Sequence, residues 1–298
     1  MALTLPAELT AWVTGNKIPI RRWFDQGFDW LMAHAGWLID GASAAVGAAV
    51  NRVQAVLESP HPLTIIAVAM VLTAIFRRSL VAMVIVGLGY LFILNLGYWS
   101  QTMQSLTLVG LSCLICMGVG VPVGILAAHM PRLHAVLRPI LDLMQTLPSF
   151  VYLVPGVMLF GLGQVAGLFA TVIFVLPAPI RLTQLGIRQT PPALIEAGRA
   201  FGASPMQLLW KVELPSAWPQ ILAGLNQTIM LSLSMVVIAA MVGAAGLGVP
   251  IIRALSSMQV GQGFEAGFAI VALAVCLDRM LPQTPRDGSR ARLRGMRQ

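Results

Sequence analysis

Pro191-Pro192-Ala193-Leu194-Ile195-Glu196-Ala197-Gly198-Arg199-Ala200-Phe201-Gly202, followed nine residues later by Val212-Glu213-Leu214-Pro215, is a charged insert between two apolar runs. From Val165 to Ile180, and again from Pro219 to Ala245, there is no Asp, Glu, Lys or Arg. Runs of that length and composition suit helices whose solvent is lipid. The insert must therefore emerge from the membrane. Its own reading is local. Pro191-Pro192 stops a helix arriving from the preceding run and pre-sets a new helix start. Ala193 to Phe201 are good helix formers, with Glu196 near the positive end of the helix dipole. Gly202 is placed to end that helix, and Ser204-Pro205 to begin another through Leu209. Leu214-Pro215 is then expected to turn the chain back toward the membrane.

Composition sets the class independently. The 298 residues are 57% hydrophobic and only 10% charged, too few charges for the surface of a soluble protein. A formal charge of +8 raises the possibility of a nucleic-acid binder. The basic residues lie between apolar runs and at the C-terminus rather than on one folded face, which excludes nucleic acid as a partner. Cys113, Cys116 and Cys276 fall in or beside apolar runs and read as buried thiols. Cys113 and Cys116, three apart, are packing residues rather than a metal pair, since no His or second Cys pair accompanies them. The N-terminus has no short apolar core with a cleavage site, so no signal peptide is expected.

Seven spans are expected near 62–76, 80–97, 103–129, 139–161, 165–181, 219–245 and 264–281. The first is short, because Arg77 and Arg78 interrupt it. Residues 1–60 are different: Trp23, Phe24, Phe28, Trp30, Leu31 and Trp37 alternate with Arg21, Arg22, Asp25 and Asp29. Two readings stand for this segment, an amphipathic helix in the membrane interface or a soluble helical cap on the bundle. Fourteen of the 19 Lys and Arg residues fall on one side: Arg77, Arg78, Arg132, Arg138, Arg181, Arg188, Arg199, Lys211, Arg279, Arg286, Arg290, Arg292, Arg294 and Arg297. The positive-inside rule makes that side cytoplasmic. It places the 182–218 loop and the C-terminus inside and the N-terminus outside. The expected organisation is an extracytoplasmic amphipathic segment over 1–60, a transmembrane domain over 61–281 and a basic cytoplasmic tail over 282–298.

The spacing Glu196-Ala197-Gly198, Gly202, then Val212-Glu213-Leu214-Pro215 resembles the cytoplasmic "EAA" signature of ABC-importer membrane subunits. Met144 to Tyr152, Ala178 to Thr183, Met230 to Ala239, Gly246 to Gly248, Gly263 to Gly267 and Leu277-Asp278-Arg279 extend the likeness to the glycine betaine/proline betaine permease subfamily. What this implies is an all-α polytopic membrane protein with about seven transmembrane helices and the type I ABC-importer permease fold. It further implies a multi-pass protein of the bacterial inner membrane, working as a homodimer with two ATPase subunits and an extracytoplasmic substrate-binding protein. No Walker A sequence is present, so ATP and Mg belong to the partner subunits and no cofactor binds directly. Glu196, Ala197, Gly198, Gly202, Leu214 and Pro215 are the implied ATPase-coupling residues.

No catalytic constellation appears around His34, His61, His129 or His134 and no metal site is expected, which argues against an intramembrane enzyme. Polar residues at membrane depth are costly and mark a path. Gln145, Ser149, Phe150 and Tyr152 in the fourth span, with Asn226, Ser232 and Ser234 in the sixth, are the candidates. Pro148 and Pro155 favour a bent fourth span beside a cavity. Phe150 and Tyr152 have the aromatic faces that hold a quaternary ammonium by cation–π contact, although packing against neighbouring helices is the favoured reading for both. Ser232 and Ser234 read as helix-packing hydroxyls, and Gly243, Gly246 and Gly248 as a tight turn after the sixth span. Asp142 is expected to pair with Arg138 one turn earlier. The function expected is import of glycine betaine, choline or a related osmoprotectant. The alternatives are a permease for methionine or another amino acid and, in a different class, a non-transporting scaffold or sensor.

Overall fold

Seven apolar runs separated by Pro, Gly and paired charges dictate a helical chain, and the computed structural model, which describes residues 19–282, is helical in every regular element among them. Contacts divide the chain into residues 1–45 and 46–298. In the first unit one helical stretch exposes Trp23, Trp30 and Trp37, and Trp30 stacks on His34. Trp12 and the C-terminal arginines from Arg286 onward lie outside the described residues.

The elements in chain order are α1 (Ile20–Glu58), α2 (Pro62–Arg77), α3 (Leu80–Asn95), α4 (Trp99–His129), α5 (Pro131–Thr146), a 3₁₀ turn (Ser149–Tyr152) and α6 (Leu153–Phe160). Then come α7 (Gln164–Val175), α8 (Pro177–Arg188), α9 (Pro192–Ala200), α10 (Pro205–Leu208), a π turn (Leu209–Glu213), α11 (Leu214–Ala240), α12 (Gly248–Ser256) and α13 (Val260–Met280). Four stretches are long and apolar enough to cross a membrane alone: Trp99–His129, Gln164–Arg188, Pro205–Ala240 and Val260–Met280.

Each expected span therefore has a helical counterpart, with three differences. The first two are single helices of only 16 residues each, α2 and α3. The fourth is broken: Pro131–Thr146 and Ser149–Phe160 meet at 104°. The cause is Pro148, whose ring disfavours the helical conformation at the residue before it, and Leu147 is extended at ψ 134°. The fifth runs past Arg181 to Arg188, because Thr183, Gln184, Gly186 and Ile187 are buried and keep the helix anchored. The expected 182–218 loop thus loses its first turns to α8. It loses its last residues too, since Leu214-Pro215 does not turn the chain. The helix runs from Pro205 to Ala240 through the π turn, in which Leu214 N–H donates to Leu209 O. Pro215, which has no N–H to donate, follows directly on that widened turn, in the first turn of α11.

Helices in lipid gain little from burying apolar surface against one another and rely on close packing. Here α4, α8 and α11 form the closest contacts. A Cβ on Gly124 of α4 would stand 2.7 Å from Ile180 O and 2.8 Å from Thr183 Cβ. On Gly120 it would stand 2.8 Å from Pro179 Cγ, and on Gly186 of α8 it would stand 3.1 Å from Ala217 Cβ and Ala217 O. Most hydroxyls in these interfaces bond within their helices or across them, although Thr183 Oγ1 of α8 has no partner among the described residues. Thr107, Thr171 and Thr228 donate to carbonyls four residues earlier, and Ser112 Oγ of α4 donates to Ser232 Oγ of α11 at 3.0 Å. A second group, α2, α3 and α13, packs around Val86, Tyr90, Ile93 and Leu273. The expected glycine turn is present: Leu247 N–H donates to Ser105 Oγ at 2.8 Å, and Gly246 at φ 138° approaches that serine too closely for a side chain. Cys113, Cys116 and Cys276 are free and buried.

Replacing Gly124 by Ala should destabilise the fold by about 1–3 kcal/mol, because backbone as well as side chain blocks the added methyl. Gly110→Ala, on the open side of α4 with nothing within 4 Å, should be neutral or slightly stabilising. Thermal unfolding of the detergent-solubilised protein separates the two. Equal midpoints would contradict the packing described.

Candidate functional site: an exposed helix on a rigid base

The charged insert becomes a short helix with both ends fixed. Pro191 is the N-cap of α9 and Pro192 its first residue, as the double proline demands. At the other end Ala203 N–H donates to Gly198 O and Gly202 N–H to Arg199 O, the paired bonds of a Schellman motif, with Gly202 at φ 76°. Ser204 then opens α10 with a capping box: Gln207 N–H donates to Ser204 Oγ and Ser204 N–H to Gln207 Oε1. The nine residues of α9 carry no fully buried side chain. Beside Glu196 the segment exposes Leu194, Phe201, Met206 and Trp210, with Phe201 92% exposed. An exposed carboxylate thus stands among exposed apolar side chains, a composition that marks a candidate docking surface.

The helix is seated through one glycine. A Cβ on Gly198 would lie 2.7 Å from Leu208 Cδ2 and 3.7 Å from Val212 Cγ2. α9 thus rests on α10 and the π turn, which continue into α11. Glu196 and Ala197 face outward, Leu214 packs with Ile187, Ala217 and Ile221, and Pro215 borders an apolar cleft of about 910 Å³ with Trp210 and Trp218.

Sequence reasoning missed the charged link beneath this segment. Glu213, buried in the π turn, has Oε2 2.8 Å from His129 Nε2 at the end of α4. The approach is at ion-pair distance but is not aligned as a hydrogen bond. His129 Nδ1 lies 2.9 Å from Ile125 O, which leaves Nε2 to face the carboxylate. Nothing in Val212-Glu213-Leu214-Pro215 marks Glu213 as inward, because the π turn that rotates it is a tertiary outcome. Asp142 also departs from its expected i,i+4 partner: it pairs with Arg181 of α8 at 2.5 Å, tying α5 to the bundle.

The second candidate set is dispersed. Phe150 is 52% exposed at the break after α5, with Ser149 half-buried beside it and Gln145 exposed. Tyr152 is turned inward, its hydroxyl donating to Met144 O at 2.6 Å across the break and its ring packing near Phe174. Ser232 is committed to Ser112, whereas Ser234 is exposed and bonds its own Met230 O. Asn226 is half-buried, and its Oδ1 has no partner among the described residues. The two segments do meet, since Tyr152 and Leu153 share a cluster with Met235 of α11 and with Val242 in the turn after it.

The family described as "Binding-protein-dependent transport system inner membrane component" matches residues 120–281, from mid-α4 through the exposed helix to the end of α13. The chain belongs to that family. These inner-membrane components are permease subunits, and this one is a multi-pass, all-α member. Among its relatives is the glycine betaine/proline betaine transport system permease protein ProW of Escherichia coli, 45% identical over 281 residues, 92% of this chain and 77% of that one. The glycine betaine transport system permease protein OpuAB of Bacillus subtilis is 45% identical over 265 residues, 89% of this chain and 93% of its own. The glycine betaine/carnitine transport permease protein GbuB of Listeria monocytogenes is 43% identical, covering 88% and 94%. The inward-facing MetNI methionine ABC transporter shares the fold, with a TM-score of 0.53 at 22% identity over 59% of this chain and 89% of that one.

The left-handed Gly202 should tolerate Asn but not Val, which pays roughly 1–2 kcal/mol at that φ. Amide exchange in the last turn of α9 should accelerate in Gly202→Val and stay near wild type in Gly202→Asn. Equal protection in the two variants would show that the Schellman turn does not hold the helix.

Proposed function

We propose that this chain is the translocating subunit of an ATP-driven importer for glycine betaine or a related quaternary-amine osmoprotectant. The observation that carries the reading is α9: a short helix capped at both ends, exposed along its length and seated through Gly198 on a segment continuous with α11. The solute class rests on the named substrates of relatives 43–46% identical to this chain. In this reading two copies of the chain join two ATPase subunits, which bind ATP and Mg, and an extracytoplasmic binding protein delivers the solute. The chain itself holds no cofactor. Residues 1–60 are extracytoplasmic, 61–281 form the permease, and 282–298 are a basic cytoplasmic tail, the orientation following from the arginine and lysine bias.

Glu196, Ala197, Gly198 and Gly202 form or shape the face that meets the ATPase, and Leu214 and Pro215 join it to α11. When the ATPases close, α9 moves as a rigid piece. The π turn passes that displacement directly to α11 and, through Glu213 and His129, to α4. Solute preference then lies elsewhere, near the break at Pro148 and the facing part of α11, with Ser149 and Asn226 as polar neighbours. Phe150 has the free aromatic face for a quaternary ammonium, while Tyr152, Ser232 and Ser234 set packing.

Reconstituted with its partner subunits, Glu196→Ala or Gly202→Asp should lower labelled glycine betaine uptake at least tenfold without changing the order of preference among betaine, choline and methionine. Wild-type uptake and ATPase assembly in both variants would reject the coupling role. Betaine uptake no faster than methionine uptake by the wild type would reject the solute class. Arg199→Cys should resist membrane-impermeant maleimide in intact cells, because α9 is cytoplasmic in this reading, and the three buried native thiols keep the background low. Labelling from outside would invert the topology.

Phe150→Leu should raise the half-saturating betaine concentration about threefold to tenfold, consistent with loss of a cation–π contact of roughly 0.5–2 kcal/mol. Tyr152→Phe should leave that constant unchanged while lowering thermal stability by about 1 kcal/mol. An unchanged constant in Phe150→Leu would remove Phe150 from the path.

A further inference from the structure

Where α2 and α13 end and α3 begins, two arginines line one small cavity. Cys276 Sγ donates to Val86 O at 3.6 Å, and Gly89 lets that cysteine lie directly against α3. One turn beyond Cys276, this packing brings Arg279 over the first turn of α3. Arg77, the last residue of α2, reaches the same place from the other side. The cavity holds about 260 Å³ and is lined by Phe76, Arg77, Ser79, Val81, Ile85 and Arg279, together with Ala82. Arg77 Nε and Nη2 and Arg279 Nε are shut off from solvent, yet none has a hydrogen-bond partner among the described residues. Arg279 Nε has one distant counter-charge, Asp278 Oδ2 at 3.9 Å. Ser79 Oγ accepts from Ala82 N–H at 3.4 Å, so the cavity also opens on the positive end of α3.

Two guanidinium groups on one small cavity, each with an enclosed nitrogen that has no hydrogen-bond partner among the described residues, favour an anion that joins them, although the Arg279 side chain as a whole is 43% exposed. Oxygens of a phosphate match a guanidinium fork, and a helix N-terminus adds to the attraction. The rim says where such a phosphate comes from. Phe76 is 58% exposed, Leu80 75% and Val81 70%, on helices whose outward faces are apolar. An anion with apolar chains attached covers that rim, whereas a free anion leaves it bare.

We propose that the cleft between Arg77 and Arg279 binds the phosphate of a membrane phospholipid, whose acyl chains lie along Phe76 and Val81. The bound lipid bridges α2, α3 and α13 at their shared end. It joins by headgroup chemistry three helices, two of which are too short to cross the bilayer unaided.

Native mass spectrometry of the purified full-length protein, titrated with dioleoylphosphatidylglycerol, tests this directly. Arg77→Gln and Arg279→Gln should each weaken binding of one lipid per chain roughly tenfold, the effect of losing about one charge-assisted hydrogen bond. Arg78→Gln removes the same charge one residue away, outside the cavity, and should leave binding unchanged. Arg77→Lys keeps the charge but not the fork and should fall between wild type and Arg77→Gln, which serves if the glutamine variant does not fold. Dioleoylglycerol, with the same chains and no phosphate, should not bind there, and millimolar inorganic phosphate should not displace the lipid. Wild-type binding in Arg77→Gln or Arg77→Lys, or an equal loss in Arg78→Gln, overturns the site. Dioleoylglycerol binding as tightly as phosphatidylglycerol overturns phosphate recognition, and displacement by inorganic phosphate reassigns the cleft to a free anion.

Discussion

Everything in this structure depends on how closely α4 and α8 approach at Gly120 and Gly124. Lipid offers no hydrophobic drive to press two apolar helices together, so contact must come from shape and from satisfied polar groups. Glycine on α4 facing the Pro179-to-Thr183 edge of α8 brings the two backbones nearly into touch. On its other side α8 presents Gly186 to Ala217 of α11, so α8 is clasped between both neighbours. The Ser112–Ser232 hydrogen bond then joins α4 to α11 directly. Three helices held this tightly behave as one body.

In the proposed coupling role, that rigidity gives the exposed helix its purpose. α9 touches the rest of the chain through Gly198, Leu208 and the π turn, and the π turn is continuous with α11. A helix with two fixed ends, resting on a stiff base, moves as a unit when pushed. The Glu213–His129 contact adds a second attachment, to the end of α4, through which the proposed displacement of the π turn would reach two of the three clasped helices. The break at Pro148 serves the opposite purpose. It interrupts an apolar segment where it meets α11, exposing Phe150 on one side while Tyr152 holds the two halves in register through Met144 O.

The arginines show how charge is used sparingly in such a chain. Arg181 is neutralised by Asp142 and secures α5. Arg77 and Arg279 have no comparably close carboxylate among the described residues and line one cavity, the basis of the proposed phosphate site.

Much of this was legible in the residue order, because lipid imposes a simple rule: apolar runs of sufficient length become helices. The Pro191-Pro192 start, the Gly202 stop and the Ser204 cap are local chemistry, and each appears where the residues place it; the seven apolar segments are helical too, but the fourth is broken and the fifth and sixth run beyond their expected bounds. The family likeness was readable from the same loop. What the order of residues could not convey was direction and partnership. Whether Pro148 bends a span gently or through 104°, whether Leu214-Pro215 turns the chain or rides on a widened helix, and whether Asp142 pairs along its helix or across to Arg181 depend on which neighbours compete for the same groups. Glu213 and Tyr152 face inward, and Phe150 outward, for the same reason. The sequence determined which segments are helices and the capped ends at Pro191, Gly202 and Ser204, since those choices are made within a few residues. Only tertiary packing decided which side chains are buried, paired or left free, since those choices are made between helices far apart in the chain.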